Sequence, residues 1–254
     1  MKGKKNYGIN LLCVLFWIAA WEAVSLFIGK ELLFPSPVSV FGILASNVFE
    51  PVFWFSVLHS LGRVAMGFIF AVFAGTVLGA VMSVSRPVEY IFSPIITVIK
   101  STPVASFIIL VLLWVKSSDV PILISFLMVL PIISGNIFSA IKGTDIKLLE
   151  MAKVYNFSFA KKVKLIYIPQ CLPNFYTACV MGIGFAWKSS IAAEVIANPA
   201  FSIGRGLYNS KTYLETPQLF AWTLVVIVLS LLLENLFKKF MQGVFRAEGR
   251  KWLN

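Results

Sequence analysis

The stretch Leu58-His-Ser-Leu-Gly-Arg-Val-Ala-Met-Gly-Phe-Ile-Phe-Ala-Val-Phe-Ala-Gly-Thr-Val-Leu-Gly-Ala-Val-Met-Ser-Val84 decides the class of fold. Between Arg63 and Arg86 it carries no charged residue, and a run of about 20 apolar residues is the length an α-helix needs to cross the hydrocarbon core of a bilayer. Runs of this kind recur along all 254 residues, so that 59% of the chain is hydrophobic and only 13% charged. With a mean hydropathy of +0.87, the composition excludes an ordinary soluble domain, in which about a quarter of residues are charged. The reading is an all-α, polytopic membrane protein.

Six spans are expected: Ile9 to Ile28, Leu58 to Val84, Ile91 to Val115, Val120 to Ile141, Leu172 to Ile196 and Pro217 to Phe237. The third is interrupted by Lys100-Ser101-Thr102-Pro103, and broken helices in membranes border protein or water. The loop holding Phe34-Pro35-Ser36-Pro37 has room for a short interfacial helix. Lys2, Lys4 and Lys5 before the first apolar run resemble a signal peptide, but no clean small-residue cleavage site follows, so a retained first helix is expected. Cys13, Cys171 and Cys179 have neither disulfide-framework nor metal spacing and read as packing residues. The lone histidine, His59, cannot build a metal site and is expected to be exposed at a membrane boundary.

A net charge of +11 invites nucleic acid, yet the basic residues punctuate spans and form no continuous stripe. Instead they set orientation. Fifteen fall on one side, including Lys142, Lys147, Lys153, Lys161, Lys162, Lys164, Lys238, Lys239, Arg246, Arg250 and Lys251, against Lys30, Lys116, Arg205 and Lys211 on the other. Because basic flanks are retained in the cytoplasm, both termini are expected there.

On the same side lies a connection of about thirty residues, 142–170, far longer than packed helices need. Asp145 to Tyr155 has helical periodicity, Asn156 tolerates a left-handed helix end, and Ser158 to Tyr167 forms a second, amphipathic segment with Phe159, Val163 and Ile166 on one side. Helix, turn and amphipathic helix make either a docking element or an interfacial pair held to anionic headgroups by lysines.

Within it, Glu150-Met151-Ala152, then Asn156, then Ile166-Tyr167-Ile168-Pro169 resembles the E-A-A-x3-G-x9-I-x-L-P signature of permease subunits of ATP-binding-cassette importers. Met151 stands for an alanine, Asn156 for the glycine and Ile168 for the leucine. Phe34-Pro35-Ser36-Pro37, Ser60 to Gly67, Pro103 with Trp114, Ala186-Trp187-Lys188, Ala192-Ala193-Glu194, Gly204, Gly206 and Phe220-Ala221-Trp222 are similar to the nitrate, sulfonate and taurine branch, which often has Arg-Pro-Ile-Pro where this chain has Lys100-Ser101-Thr102-Pro103. The resemblance implies a type I importer permease fold and a single permease domain, 1–254, in a prokaryotic inner or plasma membrane. It further implies a homodimer, an ATPase subunit that binds ATP and Mg, an extracytoplasmic solute-binding protein, and no cofactor in the chain itself. ATPase coupling would fall to Glu150, Met151, Ala152, Asn156, Phe159, Ile166 and Pro169. Trp187-Lys188-Ser189 has the Lys-Ser pair of a phosphate loop but lacks its glycine.

Two rows of small residues, Gly67, Ala71, Gly75, Gly79 and Ser83 after Arg63, and Ala178, Gly182, Ala186, Ser190 and Glu194, recur every four residues and suit close helix packing. Charges inside spans cost about 2.5 to 3.5 kcal/mol each on insertion scales, so Lys100, Lys188, Glu194 and Arg63 need an explanation. Lys188, Ser189 and Ser190, with Lys100, Ser101 and Thr102 at the break and Glu194 beyond, are candidates to line a translocation pathway for a small anion. The alternatives are snorkelling or pairing of Lys188 with Glu22 or Glu194, an interfacial Glu194 capping a neighbouring helix, and an Arg63 that reaches the headgroups. A secondary transporter using Lys100, Lys188 and Glu194 as ion or proton sites is the competing function, and no His, Asp, Glu or Cys constellation suggests an enzyme.

Overall fold

The computed structural model describes the backbone of residues 7–252 and the side chains of residues 12–243. Lys2, Lys4, Lys5 and the side chains of Arg246, Arg250 and Lys251 lie outside the described residues. Among the described residues there is no strand. The helices are α1 (Tyr7–Ile28), α2 (Pro37–Val48), α3 (Pro51–Val84), α4 (Arg86–Ser101), α5 (Val104–Val111), α6 (Val120–Lys142), α7 (Ile146–Val154), α8 (Phe159–Lys162), α9 (Ile168–Ala197), α10 (Ile203–Thr212) and α11 (Thr216–Trp252).

The centre is a three-helix pack in which α6 lies against both α3 and α9. Lipid supplies no hydrophobic drive for association, so the helices adhere by close backbone approach. The row Arg63, Gly67, Ala71, Gly75, Gly79 and Ser83 is buried throughout, and so is Ala178, Gly182, Ala186, Ser190 and Glu194. The approach is tight enough that a Cβ on Gly67 would sit 2.5 Å from the Ile122 carbonyl oxygen. Val64, Phe68, Val129, Ile133, Ile183 and Trp187 fill the space around these seams. The Trp187 indole N–H donates to the Val226 carbonyl at 3.2 Å, tying α9 to α11.

Several boundaries differ from the sequence reading. The second span begins at Pro51, seven residues before the expected start, because Pro51 occupies a first-turn position where its missing N–H is no loss. The third is not one interrupted rod: α4 and α5 meet at 105°. Thr102, preceding Pro103, is forced into extended backbone (φ −82°, ψ 131°), which ends α4 outright. The second segment of the 142–170 connection is not a separate helix, since α8 runs through a π-helical turn, Val163–Tyr167, directly into α9. That turn spends an extra residue, which takes Phe159 (75% exposed) out of line with Ile166 (3%). The last helix, 37 residues or about 55 Å, outruns a bilayer core of about 30 Å. The sequence reading did not anticipate α10.

Among the described residues, four helices are long and apolar enough to cross a membrane, five if the bent α4–α5 pair counts as one span. The described side chains of α1 cover a shorter apolar stretch, Leu12–Ile28.

Gly67→Val is expected to push α3 from α6 and destabilise the fold by about 1–3 kcal/mol. Gly62→Ala, inside α3 with nothing within 4 Å of its Cβ, should raise stability slightly, by about 0.5–1 kcal/mol. Thermal unfolding midpoints in detergent distinguish the two; equal midpoints would contradict the packing described.

Candidate functional site

The kink after α4 opens a groove of about 580 Å³ between the end of α4, α6 and α9. Lys100 enters it from the last turn of α4 and Lys188 from α9, together with Thr102 and Ser189. The Lys100 ammonium lies beside Gly135 of α6, 3.8 Å from the position a Cβ there would take. Both hydroxyls are already committed as donors, Thr102 to the Val98 carbonyl at 2.8 Å and Ser189 to the Phe185 carbonyl at 2.8 Å. Neither ammonium has an ion pair or hydrogen bond among the described residues, and both lysines are exposed in the single chain. The remaining wall is apolar, with Met128, Ile132, Met181 and Phe185 prominent.

Four pathway candidates thus converge, and three do not. Ser101 turns back to the Val98 carbonyl at 3.1 Å. Ser190 is buried in the seam that holds the small-residue row. Glu194 pairs with Arg63 at 3.1 Å rather than with Lys188 or Glu22. The sequence reading missed Met181 and Phe185, although their spacing with Lys188 and Ala192 places all four on one face of α9.

Glu194 and Arg63 form a clasp at the end of α9 farthest from the 142–170 connection. Glu194 is fully buried. Its carboxylate accepts from the Ser60 hydroxyl at 2.7 Å, from Arg63 and from the Gly204 N–H at 3.1 Å, so it also caps the first turn of α10. The Ser60 hydroxyl oxygen in turn accepts the Ile203 N–H at 3.0 Å. Arg63 does not reach for headgroups. It donates to the Ala200 and Phe201 carbonyls at 3.0 and 3.2 Å, pinning a loop in which Asn198 and Phe201 both take left-handed backbone. Gly204 is required because a Cβ there would overlap Glu194. His59 is exposed next to this loop, with its ring 5.9 Å from that of Phe201.

At the opposite end, Asp145 caps α7 by accepting the Lys147 N–H at 2.9 Å. The helix closes at Asn156, whose φ of 49° is the left-handed value that the motif's glycine position requires. The Phe157 N–H then returns to the Ala152 carbonyl at 2.9 Å. Ala152 and Ile166 are buried and root the segment, while Glu150, Met151, Val154, Tyr155 and Phe159 are exposed. Pro169 sits at the start of α9.

A close-packed helical core, four helices long and apolar enough to cross a membrane and a kinked helix pair make this a helical membrane protein. Residues 67–246 match the family described as "Binding-protein-dependent transport system inner membrane component", and the chain belongs to that family. It is 24% identical over 99% of its length to a Bacillus subtilis protein named as the aliphatic sulfonates transport permease SsuC, covering 91% of that protein. It is 24% identical to the taurine transport system permease protein TauC of Escherichia coli, over 89% of this chain and 84% of the relative. With the nitrate import permease protein NrtB of Synechococcus elongatus it shares 25% identity, over 73% of this chain and 70% of the relative. A chain solved in inward-facing conformations of the MetNI methionine ABC transporter superposes with a TM-score of 0.62 at 15% identity, over 77% of this chain and 98% of that one. The fold is therefore the expected all-α importer permease fold.

Removing one partner of a buried ion pair strands the other, at about 3–5 kcal/mol. Glu194→Ala and Arg63→Ala are each expected to destabilise the protein by that order, and the double variant by less than their sum. A double-mutant cycle on unfolding midpoints checks this, and strict additivity would remove the coupling.

Proposed function

We propose that this chain is the pathway-forming subunit of an ATP-driven importer for a small anionic solute, with two copies enclosing the route. In this reading α1 supplies the sixth crossing and the basic flanks hold both termini and the 142–170 connection in the cytoplasm of a prokaryotic cell. A separate ATPase subunit, which binds ATP and Mg, docks on the connection, and an extracytoplasmic binding protein delivers the solute. The whole chain acts as one permease domain, and the second copy covers the open side of the lysine groove.

One observation carries the reading: an exposed cluster of Met151, Val154, Tyr155 and Phe159 beside Glu150, mounted on a base fixed by buried Ala152 and Ile166. Such a surface suits a partner protein better than water, since it joins apolar contacts to a charge that can set register. From Phe159 to Ala197 the backbone stays helical through the π turn, so displacement of the docking element is delivered along one rod to Lys188. The Arg63–Glu194 clasp holds the far end of that rod against α3. Small-residue seams let it pivot without losing backbone contact. Anionic solutes fit the two lysine ammonium groups, which have no ion pair among the described residues, and the relatives named for sulfonates and nitrate support that choice. A secondary transporter that used Glu194 as its proton site is disfavoured, since Glu194 is spent in its ion pair with Arg63.

Glu150→Lys is expected to lower copurification of the ATPase or to release hydrolysis from uptake, by about tenfold or more, without altering the thermal midpoint. Unchanged coupling in proteoliposomes would exclude the connection as the docking site. Lys188→Met should cut anion uptake while leaving the ATPase bound, whereas normal uptake kinetics would take Lys188 out of the pathway.

A further inference from the structure

We infer that Glu234 is an exchangeable counter-ion for Lys188: its carboxylate passes between Lys238 on its own helix and Lys188 on α9, and only the first arrangement leaves Lys188 free for an anion. The inference rests on the importer reading above and adds to it a residue that regulates the lysine groove.

Glu234 lies inside the last candidate span, Thr216–Gly243, and an ionisable residue in such a place calls for a partner. Its ion pair among the described residues is a loose one: the Lys238 ammonium is 4.0 Å away, and the two side chains keep 31% and 43% of their exposure. The carboxylate also lies against α9, with Oε1 2.8 Å from the position a Cβ on Gly184 would take.

Lys188 is one turn beyond Gly184, about 40° further round the helix and about 6 Å along it. Two contacts give the direction of the neighbouring helix. Trp187 meets Val226 and Gly184 meets Glu234, so α11 runs antiparallel to α9. Side chains on a helix lean toward its N-terminus, and on antiparallel neighbours this carries Lys188 toward the Gly184 turn and Glu234 toward the Lys188 turn. Lys188 thus stands at a border, with Met181, Phe185 and Ala192 of the groove on one side and Glu234 on the other. Lys100 does not share that position, since it comes from α4 and no residue of α11 lines the groove.

The carboxylates considered from sequence are placed elsewhere. Glu194 is held by Arg63, Ser60 and Gly204. Glu22 follows Trp21, whose ring packs 6.1 Å from that of Phe220, about 21 Å from Glu234 along α11. Exposed ion pairs shift an equilibrium by about fivefold at most, so neither lysine holds Glu234 permanently. An anion that binds only the arrangement with Lys188 free draws the population toward it.

The test uses the full chain with its ATPase in phosphatidylcholine nanodiscs, and needs no solute. A carbodiimide joins a carboxylate to an amine only where the two touch. It should yield a Glu234–Lys188 amide in the parent protein and more of it in Lys238→Met, as read by peptide mass spectrometry. Trinitrobenzenesulfonate, an anionic amine reagent, reports how free each groove lysine is. Glu234→Gln should raise its rate at Lys188 by about twofold and Lys238→Met should lower that rate by about as much, with the Lys100 rate unchanged in both. A carboxylate with a merely structural role would leave the ratio of the two lysine rates where it is. No Glu234–Lys188 product in Lys238→Met, a Lys188 rate indifferent to Glu234→Gln, or a Lys100 rate that moves in step with it would overturn the inference. Should a variant fail to fold, the parent decides: the amide supports the exchange and its absence overturns it. A complex that imports with ATP but lacks the exchange sinks only this inference. A chain that never retains an ATPase sinks the importer reading, while the same chemistry on the chain alone still decides whether Glu234 reaches Lys188.

Discussion

Helices in hydrocarbon gain nothing by hiding apolar surface from one another, so the structure depends on how closely their backbones can come together. Gly67, Gly75 and Gly79 along α3 admit α6 at contact distances that a side chain would forbid, and Gly182 brings α9 close to Val129 and Phe68, where a Cβ would lie 3.1 and 3.3 Å from their side chains. Everything functional hangs on this pack. It fixes the face of α9 that carries Met181, Phe185 and Lys188, it buries the opposite face that carries Ser190 and Glu194, and it leaves α4 and α5 to bend around the outside.

A division of labour along α9 follows. Its root is continuous with the exposed segment proposed as the docking site, its middle faces the groove that holds Lys100 and Lys188, and its far end is locked to α3 and α10 by the only fully buried carboxylate among the described residues. The clasp is dense in charge-assisted hydrogen bonds, which are short-range and geometrically demanding. It suits a fixed point. The groove, by contrast, holds two lysines with no ion pair among the described residues, and that asymmetry separates the structural ion pair from the lysines proposed to act on solute.

Local chemistry was legible in the sequence. Four-residue spacing of small residues identified both buried rows, because a helix face is a periodic property of one segment. Asn156 was readable as a left-handed terminus for the same reason, and its φ bears this out. Long-range pairing was not. Arg63 and Glu194 lie 131 residues apart, and nothing in either segment chooses between that partnership and the Lys188 alternative; the choice comes from which faces the glycine seams turn toward each other. The convergence of Lys100 with Lys188 shares this origin, since it needs the 105° bend that Thr102-Pro103 imposes, and sequence gives the break without its angle. The early start at Pro51 and the long continuation of α11 were missed because periodicity locates the middle of a helix better than its ends.

The account stands or falls on where the energy for transport enters. Solute accumulation is measured in proteoliposomes holding this chain with its ATPase and binding protein, with ATP supplied or withheld, and in matched vesicles holding this chain alone under an imposed proton gradient. Accumulation only in the complete, ATP-supplied vesicles is predicted; gradient-driven accumulation by the chain alone would contradict it.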